Sequence, residues 1–265
     1  MEIVFLGTGG GRINLIRQLR WTGGFRINSA IGNFHVDPGP GALLRSWQIR
    51  QNPEKIDVLI VTHAHIDHCS DANVMIEAMS NYALKKKGIF IGSRNVLEDA
   101  DERSITTYHK EHVNEIFYPA FADGNTEKHS FTTKKGSFDM EFIKVRHDEP
   151  TSFGFKLMAE GKTIGCTSDT SYFPELGTLF SGCDYLLINV LKPKDDGIPD
   201  HLETAQAIEL LKVAKPKVAL LNHMGLSMIR AGPEAQARLI QDATGIRTIA
   251  PKDGQLIKIG LGEFF

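Results

Sequence analysis

Three histidines and an aspartate fall within six consecutive positions, His63-Ala64-His65-Ile66-Asp67-His68, and no other stretch constrains the chain as tightly. The run before it, Val58-Leu59-Ile60-Val61, is apolar and β-branched and reads as a buried strand, whereas the residues after it carry helical periodicity. The cluster therefore belongs on a loop at a strand's C-terminal edge, where α/β proteins commonly hold ligands. In an extended loop, residues two apart project to one side, so His63 and His65 can grip one ion. Asp67 and His68, from the following turn, can reach a second. Imidazole nitrogens and carboxylate oxygens are donors that zinc, manganese and iron accept.

A chain that presents such an edge must supply further strands. Segments 3–6, 57–61, 88–91, 140–145, 153–157, 163–166, 185–190, 217–221 and 255–259 are short, apolar and rich in β-branched residues. Helices are expected over 71–87, over 203–214, where Ala207, Ile208, Leu211 and Ala214 form one stripe, and over 233–243, which opens with Pro233. Interleaved strands and helices make the class α/β. No repeat or flexible linker interrupts them, so the expectation is a single domain over 1–265. The longest irregular stretch, about 95–135, is polar and charged and reads as an insertion of functional or mobile character.

Composition narrows the setting. With 42% hydrophobic and 23% charged residues the chain can bury a core, and a net charge of −2 does not mark it for nucleic acid or a membrane surface. No apolar run approaches the roughly 18 residues of a membrane span. The three cysteines, Cys69, Cys166 and Cys183, form no Cys-x-x-Cys pair, which fits a reducing compartment. The opening Met1-Glu2-Ile3-Val4-Phe5-Leu6 reads as a strand and not as a secretion signal. A soluble cytoplasmic protein is expected.

His63-x-His65-x-Asp67-His68 resembles the signature of the metallo-β-lactamase superfamily, and the similarity runs along nearly the whole chain. His147, Asp169 and His223, each near the end of an expected strand, fall where that family supplies its later ligands. The resemblance implies a four-layer αβ/βα sandwich: two mixed sheets face to face, helices outside, metals at one edge. It implies two divalent ions, with zinc the first expectation and manganese or iron the others. His63, His65 and His147 would hold one, Asp67, His68 and His223 the other, and Asp169 would bridge them. Two ions roughly 3.5–4 Å apart can acidify a shared water toward neutrality, so no side-chain nucleophile is required. Asp37, in His35-Val36-Asp37-Pro38-Gly39, would support the ligands from behind.

The opening Phe5-Leu6-Gly7-Thr8-Gly9-Gly10-Gly11 resembles the ribonuclease Z-like branch, which also holds cyclic phosphodiesterases. Asp200-His201-Leu202-Glu203-Thr204 resembles that branch's His-Glu-Ala-Thr element, but only His201 carries over. With Asp67 it is the expected catalytic pair, for holding a phosphoryl oxygen or protonating a leaving alkoxide. Residues 11–50 carry Arg12, Arg17, Arg20, Arg26, Arg45 and Arg50 against Asp37 alone, and Arg12 and Arg17 are the expected substrate contacts. The expectation is a phosphodiesterase acting on a small or cyclic phosphorylated substrate, with a homodimer as the assembly to test for. A tRNA substrate is disfavoured, because Cys69-Ser70-Asp71-Ala72-Asn73 lacks the sequence typical of ribonuclease Z and no long Gly/Pro-rich arm is present. Hydrolysis of a lactone, thioester or amide at the same site, and iron-dependent oxidoreduction, are the alternatives.

Overall fold

The structure is a computed structural model that describes residues 1–98, 104–122, 124–194 and 198–260. Fifteen strands are assigned among the described residues: β1 Glu2–Phe5, β2 Phe25–Ser29, β3 Gly32–Val36, β4 Val58–Val61, β5 Ile89–Gly92, β6 Glu115–Phe117, β7 Thr126–Thr132, β8 Ser137–Lys144, β9 Phe153–Ala159, β10 Lys162–Cys166, β11 Tyr185–Lys192, β12 Leu202–Glu203, β13 Val218–Asn222, β14 Arg247–Ile249 and β15 Leu256–Lys258. They form two sheets, ordered β15-β1-β2-β3-β4-β5-β6 and β14-β13-β11-β10-β9-β8-β7, with β12 paired to β11. Each is mixed: β1 to β3 run antiparallel and β3 to β6 parallel, while β7 to β10 run antiparallel and β10, β11, β13 and β14 parallel.

The sheets pack face to face over an apolar layer drawn from both, including Phe5, Phe25, Phe34 and Ile60 on one side and Phe142, Phe155, Leu187 and Leu220 on the other. Helices Ala42–Gln48 and Ala72–Met79 close the outer face of the first sheet. Thr204–Ala214 and Pro233–Thr244 close that of the second. This is the four-layer αβ/βα arrangement. Interior parallel strands β4 and β11 are buried along their whole length and so read as continuous apolar runs.

Two expectations are corrected, and two strands are added. The helix expected over 71–87 ends at Met79, because Asn81, Tyr82 and Ala83 all take left-handed backbone and turn the chain back. The stretch 95–135 is not an irregular insertion. Its described residues include helix Thr107–Glu111 and the edge strands β6 and β7, one in each sheet, so it carries the chain between them. Residues 99–103 and 123 of that stretch lie outside the described residues. Strands β2 and β3 escaped the sequence reading because their outward positions hold Arg26 and His35, polar yet buried at 2% and 0% exposure. No helix of the described residues is long and apolar enough to cross a membrane.

Candidate metal centre

The candidate residues gather at one edge of the sandwich because strands that run the same way end there. Asp37 directly follows β3, His63 lies two residues beyond β4, and His223 directly follows β13. His147 and Asp169 each lie three residues beyond β8 and β10, and His201 precedes β12. The dense motif adds its remaining donors through one turn of helix, Ile66–Cys69, with His65 at its N-cap. Asp37, Ser168, Asp200 and His223 all hold φ between 51° and 59°. Left-handed backbone at a non-glycine residue costs on the order of 1 kcal/mol and persists where the surroundings over-determine it.

Hydrogen bonds from behind fix which ring nitrogen faces the centre. His68 Nδ1 lies 2.9 Å from Asp37 Oδ2, and a carboxylate can only accept, so His68 carries its proton there and turns Nε2 inward. Thr62 donates its N–H to Asp37 Oδ1 at 2.7 Å and its hydroxyl to Asp37 Oδ2 at 2.9 Å. That leaves the hydroxyl oxygen to accept from His63 Nδ1 at 3.0 Å and from Ser168 at 2.8 Å. His147 Nδ1 donates to the Asp200 carbonyl at 3.1 Å. His63, His68 and His147 thus all aim an Nε2 lone pair into one space.

The inward atoms converge on one another. His68 Nε2 lies 3.0 Å from His223 Nε2, which is itself 3.2 Å from Asp67 Oδ2 and 3.2 Å from Asp169 Oδ2. His147 Nε2 stands 3.3 Å from His65 Nδ1. His63 Nε2 is fully buried without a hydrogen-bond partner. Among the described residues, the sets His63–His65–His147, His63–His68–Asp169, Asp67–His68–His223 and His147–Asp169–His201 each place their donor atoms within 4.8 Å of one another. Buried lone pairs facing each other repel unless a cation lies between them, so the donor set fits divalent metal ions.

The electrostatics mark a place that favours a cation. Burial opposes charging of His68, but the Asp169, Asp37 and Asp67 carboxylates outweigh it and hold its pKa well above the ordinary imidazole range, so a proton or a metal ion is favoured there. Burial, then the neighbouring His68, pushes His63 well below the ordinary imidazole range, which keeps it a neutral donor. Burial opposes ionisation of Asp169 and Asp67, but the surrounding histidines outweigh it and hold both carboxyls well below their usual range. For His201, burial disfavours the charged ring, yet the Asp169 carboxylate 3.2 Å from Nε2 overcomes it and raises the pKa to about 8. Its Nδ1 faces the Pro199 carbonyl at 2.8 Å, so both ring nitrogens meet acceptors and the imidazolium satisfies both.

All seven expected donors, together with His201 and Asp37, are brought together at this edge. The glycine run also has its place: a Cβ on Gly10 would meet His223 Cδ2 at 2.2 Å, and Gly11 donates its N–H to Asp67 Oδ2 at 3.0 Å. Arg12 and Arg17 lie exposed on the short helix Arg12–Arg17 that leaves Gly11, outside the donor cluster itself. The arginine count in residues 11–50 overstates the charge available to a substrate. Arg20 binds Thr8 and the Pro251 carbonyl, Arg26 is buried, and Arg45 stacks on Trp21 at 4.2 Å. The helix after His201 is not an open anion site either, because Glu203 and Gln206 close its first turn as a capping box. Asp148 belongs to the neighbourhood and was missed: its Oδ1 lies 3.1 Å from His147 Nε2 and 3.4 Å from His65 Nε2. An acidic pair such as Asp148-Glu149 reads as solvated surface, and only the fold reveals the place of Asp148.

The family described as the beta-lactamase superfamily domain matches residues 32–224. The protein MJ1374 of Methanocaldococcus jannaschii is 34% identical over the whole chain and 97% of its own length. Ribonuclease Z of Thermococcus onnurineus is 21% identical over the whole chain and 96% of its own length. Among solved structures, the metallo-beta-lactamase fold protein YhfI of Bacillus subtilis superposes with a TM-score of 0.74 at 19% identity, covering 97% of this chain and 98% of that one. A match over most of the chain, a full-length relative and the donor edge between two sheets agree, and the chain belongs to the metallo-β-lactamase superfamily of hydrolases.

Proposed function

We propose that the protein is a binuclear metal-dependent phosphodiesterase acting on a small or cyclic phosphodiester. The observation that carries the reading is His201, an eighth polar group at a donor set that is complete without it. His63, His65 and His147 would hold one ion, Asp67, His68 and His223 the other, with Asp169 shared between them. When bound, two such ions supply Lewis acidity and a water acidified toward neutral pH.

The chain's own residues do the rest. Asp37 and Thr62 fix the tautomers of His68 and His63, so both present lone pairs without rearrangement. Asn189 donates to Asp169 Oδ1 at 2.7 Å and orients the bridging carboxylate. Gly11 N–H orients Asp67 in the same way. His201, held between Pro199 O and Asp169, has a proton at Nε2 to give to a departing alkoxide. Arg12 and Arg17, exposed on the helix leaving Gly11, would meet a phosphate approaching from solvent.

A relative that carries a ribonuclease's name favours phosphodiester cleavage over carbonyl hydrolysis. Metal-loaded protein should hydrolyse bis-p-nitrophenyl phosphate and small cyclic phosphodiesters, and lose that activity on exhaustive chelation. Turnover of lactones or thioesters with none of phosphodiesters would overturn the substrate class, and full activity after chelation would overturn the metal mechanism.

A further inference from the structure

Two asparagines interrupt apolar strands of the second sheet where these approach the donor edge. Asn189 lies within β11 and Asn222 ends β13, and the parallel register sets the two directly opposite each other. Both are buried, at 3% and 9% exposure. The residues before them are Leu186-Leu187-Ile188 and Ala219-Leu220-Leu221. Asparagine is a poor strand residue, and a buried amide costs free energy unless it is bonded, so apolar packing does not account for this pair.

The direction of both amides follows from the carboxylate at the end of their hydrogen bonds. Asp169 Oδ1 can only accept, so the Asn189 atom 2.7 Å from it is the donor Nδ2. Asn189 Oδ1 then points toward β13, where Asn222 Nδ2 donates to it at 3.3 Å. Asn222 Oδ1 has no hydrogen-bond partner among the described residues, so the donor end of that amide is the end in use. The bonds run one way, from Asn222 through Asn189 to Asp169. With Oδ1 engaged, Asp169 turns Oδ2 to the cluster, 3.2 Å from the Nε2 atoms of His201 and His223 and 3.5 Å from that of His68.

We infer that Asn222 is a positioning residue for the metal centre, acting through Asn189 on the shared carboxylate, an inference that rests on the metal-centre reading above. Its N–H holds the Asn189 amide in the one orientation that offers Asp169 a donor. Without it the Asn189 carbonyl loses its partner, and the amide is free to turn over and present oxygen to the carboxylate. Two acceptors then face each other, and Asp169 must rotate away, taking Oδ2 out of line with the histidines.

The test is stepwise zinc affinity, by competition with a fluorescent chelator, for chelator-stripped wild type, Asn222→Leu, Asn189→Leu and the double variant. Leucine nearly matches asparagine in shape and suits both strands, so melting temperatures in chelator should stay close to that of wild type. Should a leucine variant fail to fold, the alanine variants at the same positions carry the same expectation. Asn189→Leu removes the direct partner of Asp169 and should weaken binding on the order of 10–100-fold. Asn222→Leu should weaken it about 10-fold, at the low end of that range. The double variant should lose no more than Asn189→Leu alone, because residues that act in one chain are not additive. Equal zinc affinities in wild type and Asn222→Leu would overturn the inference while leaving the metal centre intact. Losses that add in the double variant would also overturn it, by showing that Asn222 acts along its own strand on His223 and not through Asn189. Failure of wild type itself to bind zinc would instead take down the reading on which the inference rests.

Discussion

Two fully buried histidines lie on neighbouring strands of the first sheet or just past their ends, and they have opposite meanings. His35 sits in β3 on the helix-covered face, opposite Arg26 across the β2–β3 ladder. His63 sits two residues past the end of β4, at the donor edge. Each keeps one ring nitrogen without a hydrogen-bond partner, Nδ1 in His35 and Nε2 in His63. Burial is the first cause that lowers the pKa of both. What differs is the company. The inward nitrogen of His63 shares its space with acceptor atoms from His68, His147 and Asp169, whereas His35 faces the cation Arg26. An orphaned imidazole nitrogen alone is only a cost; convergence of several makes a metal site.

The largest effect should come from turning the His63 region into something like the His35 region. Asp169 is the one carboxylate that belongs to two of the donor sets, joining His63 and His68 in one and His147 and His201 in the other. Asp169→Ala removes the anion that makes a doubly loaded centre favourable. A direct ligand should cost more than the roughly 10–100-fold of an outer partner. Metal analysis of the purified variant should give fewer than two ions per chain, with activity lost accordingly. Retention of both ions would show that the histidines alone suffice.

His201 comes next, because it sharpens what lies beyond the ligands. His201→Ala should keep its metal content yet lose on the order of 10²–10⁴ in kcat if its proton reaches the leaving group. The deficit should shrink for p-nitrophenolate, which leaves without protonation. Equal deficits for good and poor leaving groups would assign His201 to holding the phosphate, and a variant that loses metal would place it among the ligands.

These residues were not equally legible beforehand. The six-residue motif announced itself because four potential donors in one loop cannot all be packing residues, and it supplied His63, His65, Asp67 and His68 unaided. His147, Asp169, His201 and His223 stand alone in their local sequence, so only the resemblance connected them. Asp148 escaped both routes, since its place beside His65 and His147 depends on a loop geometry that Glu149 and Thr151 set. The fold shows the same division. Buried apolar strands such as β4 and β11 were plain, whereas β2 and β3 hid behind Arg26 and His35. The polar edge strand β7, with its alternating exposure, passed for a loop.

Asp37 tests how much the convergence depends on bracing from behind. It accepts from Thr62 twice and from His68, and through Thr62 it also orders His63. Asp37→Asn replaces one carboxylate oxygen with a donor that can face neither the Thr62 N–H nor the His68 proton. Metal affinity should fall roughly 10–100-fold, less than for Asp169→Ala. Chelator competition measures this directly, and an unchanged affinity would mean that the backbone alone preorganises the ligands.

His35 supplies the smallest effect and tests the comparison from its other side. Burial, then the neighbouring Arg26, lowers its pKa from 6.5 to about 3, while its Nε2 donates to the Gly23 carbonyl at 2.9 Å. Between those two pH values the unfolded chain binds a proton at this residue and the folded chain does not. Stability therefore falls as the pH drops below 6.5, approaching about 1.4 kcal/mol per pH unit, and this contribution levels off near pH 3, where the folded ring takes up its own proton. His35→Gln keeps an N–H that can reach Gly23 and removes the titration. Urea unfolding in chelator, repeated from pH 7.5 down to about 4.5, should show wild type losing stability faster than the variant once the pH is below 6.5. Above it the difference between them should be constant. Curves that stay parallel through the whole range would mean that the folded protein takes up the proton at His35 despite Arg26, and the contrast with the metal-site histidines would then have to rest on geometry alone.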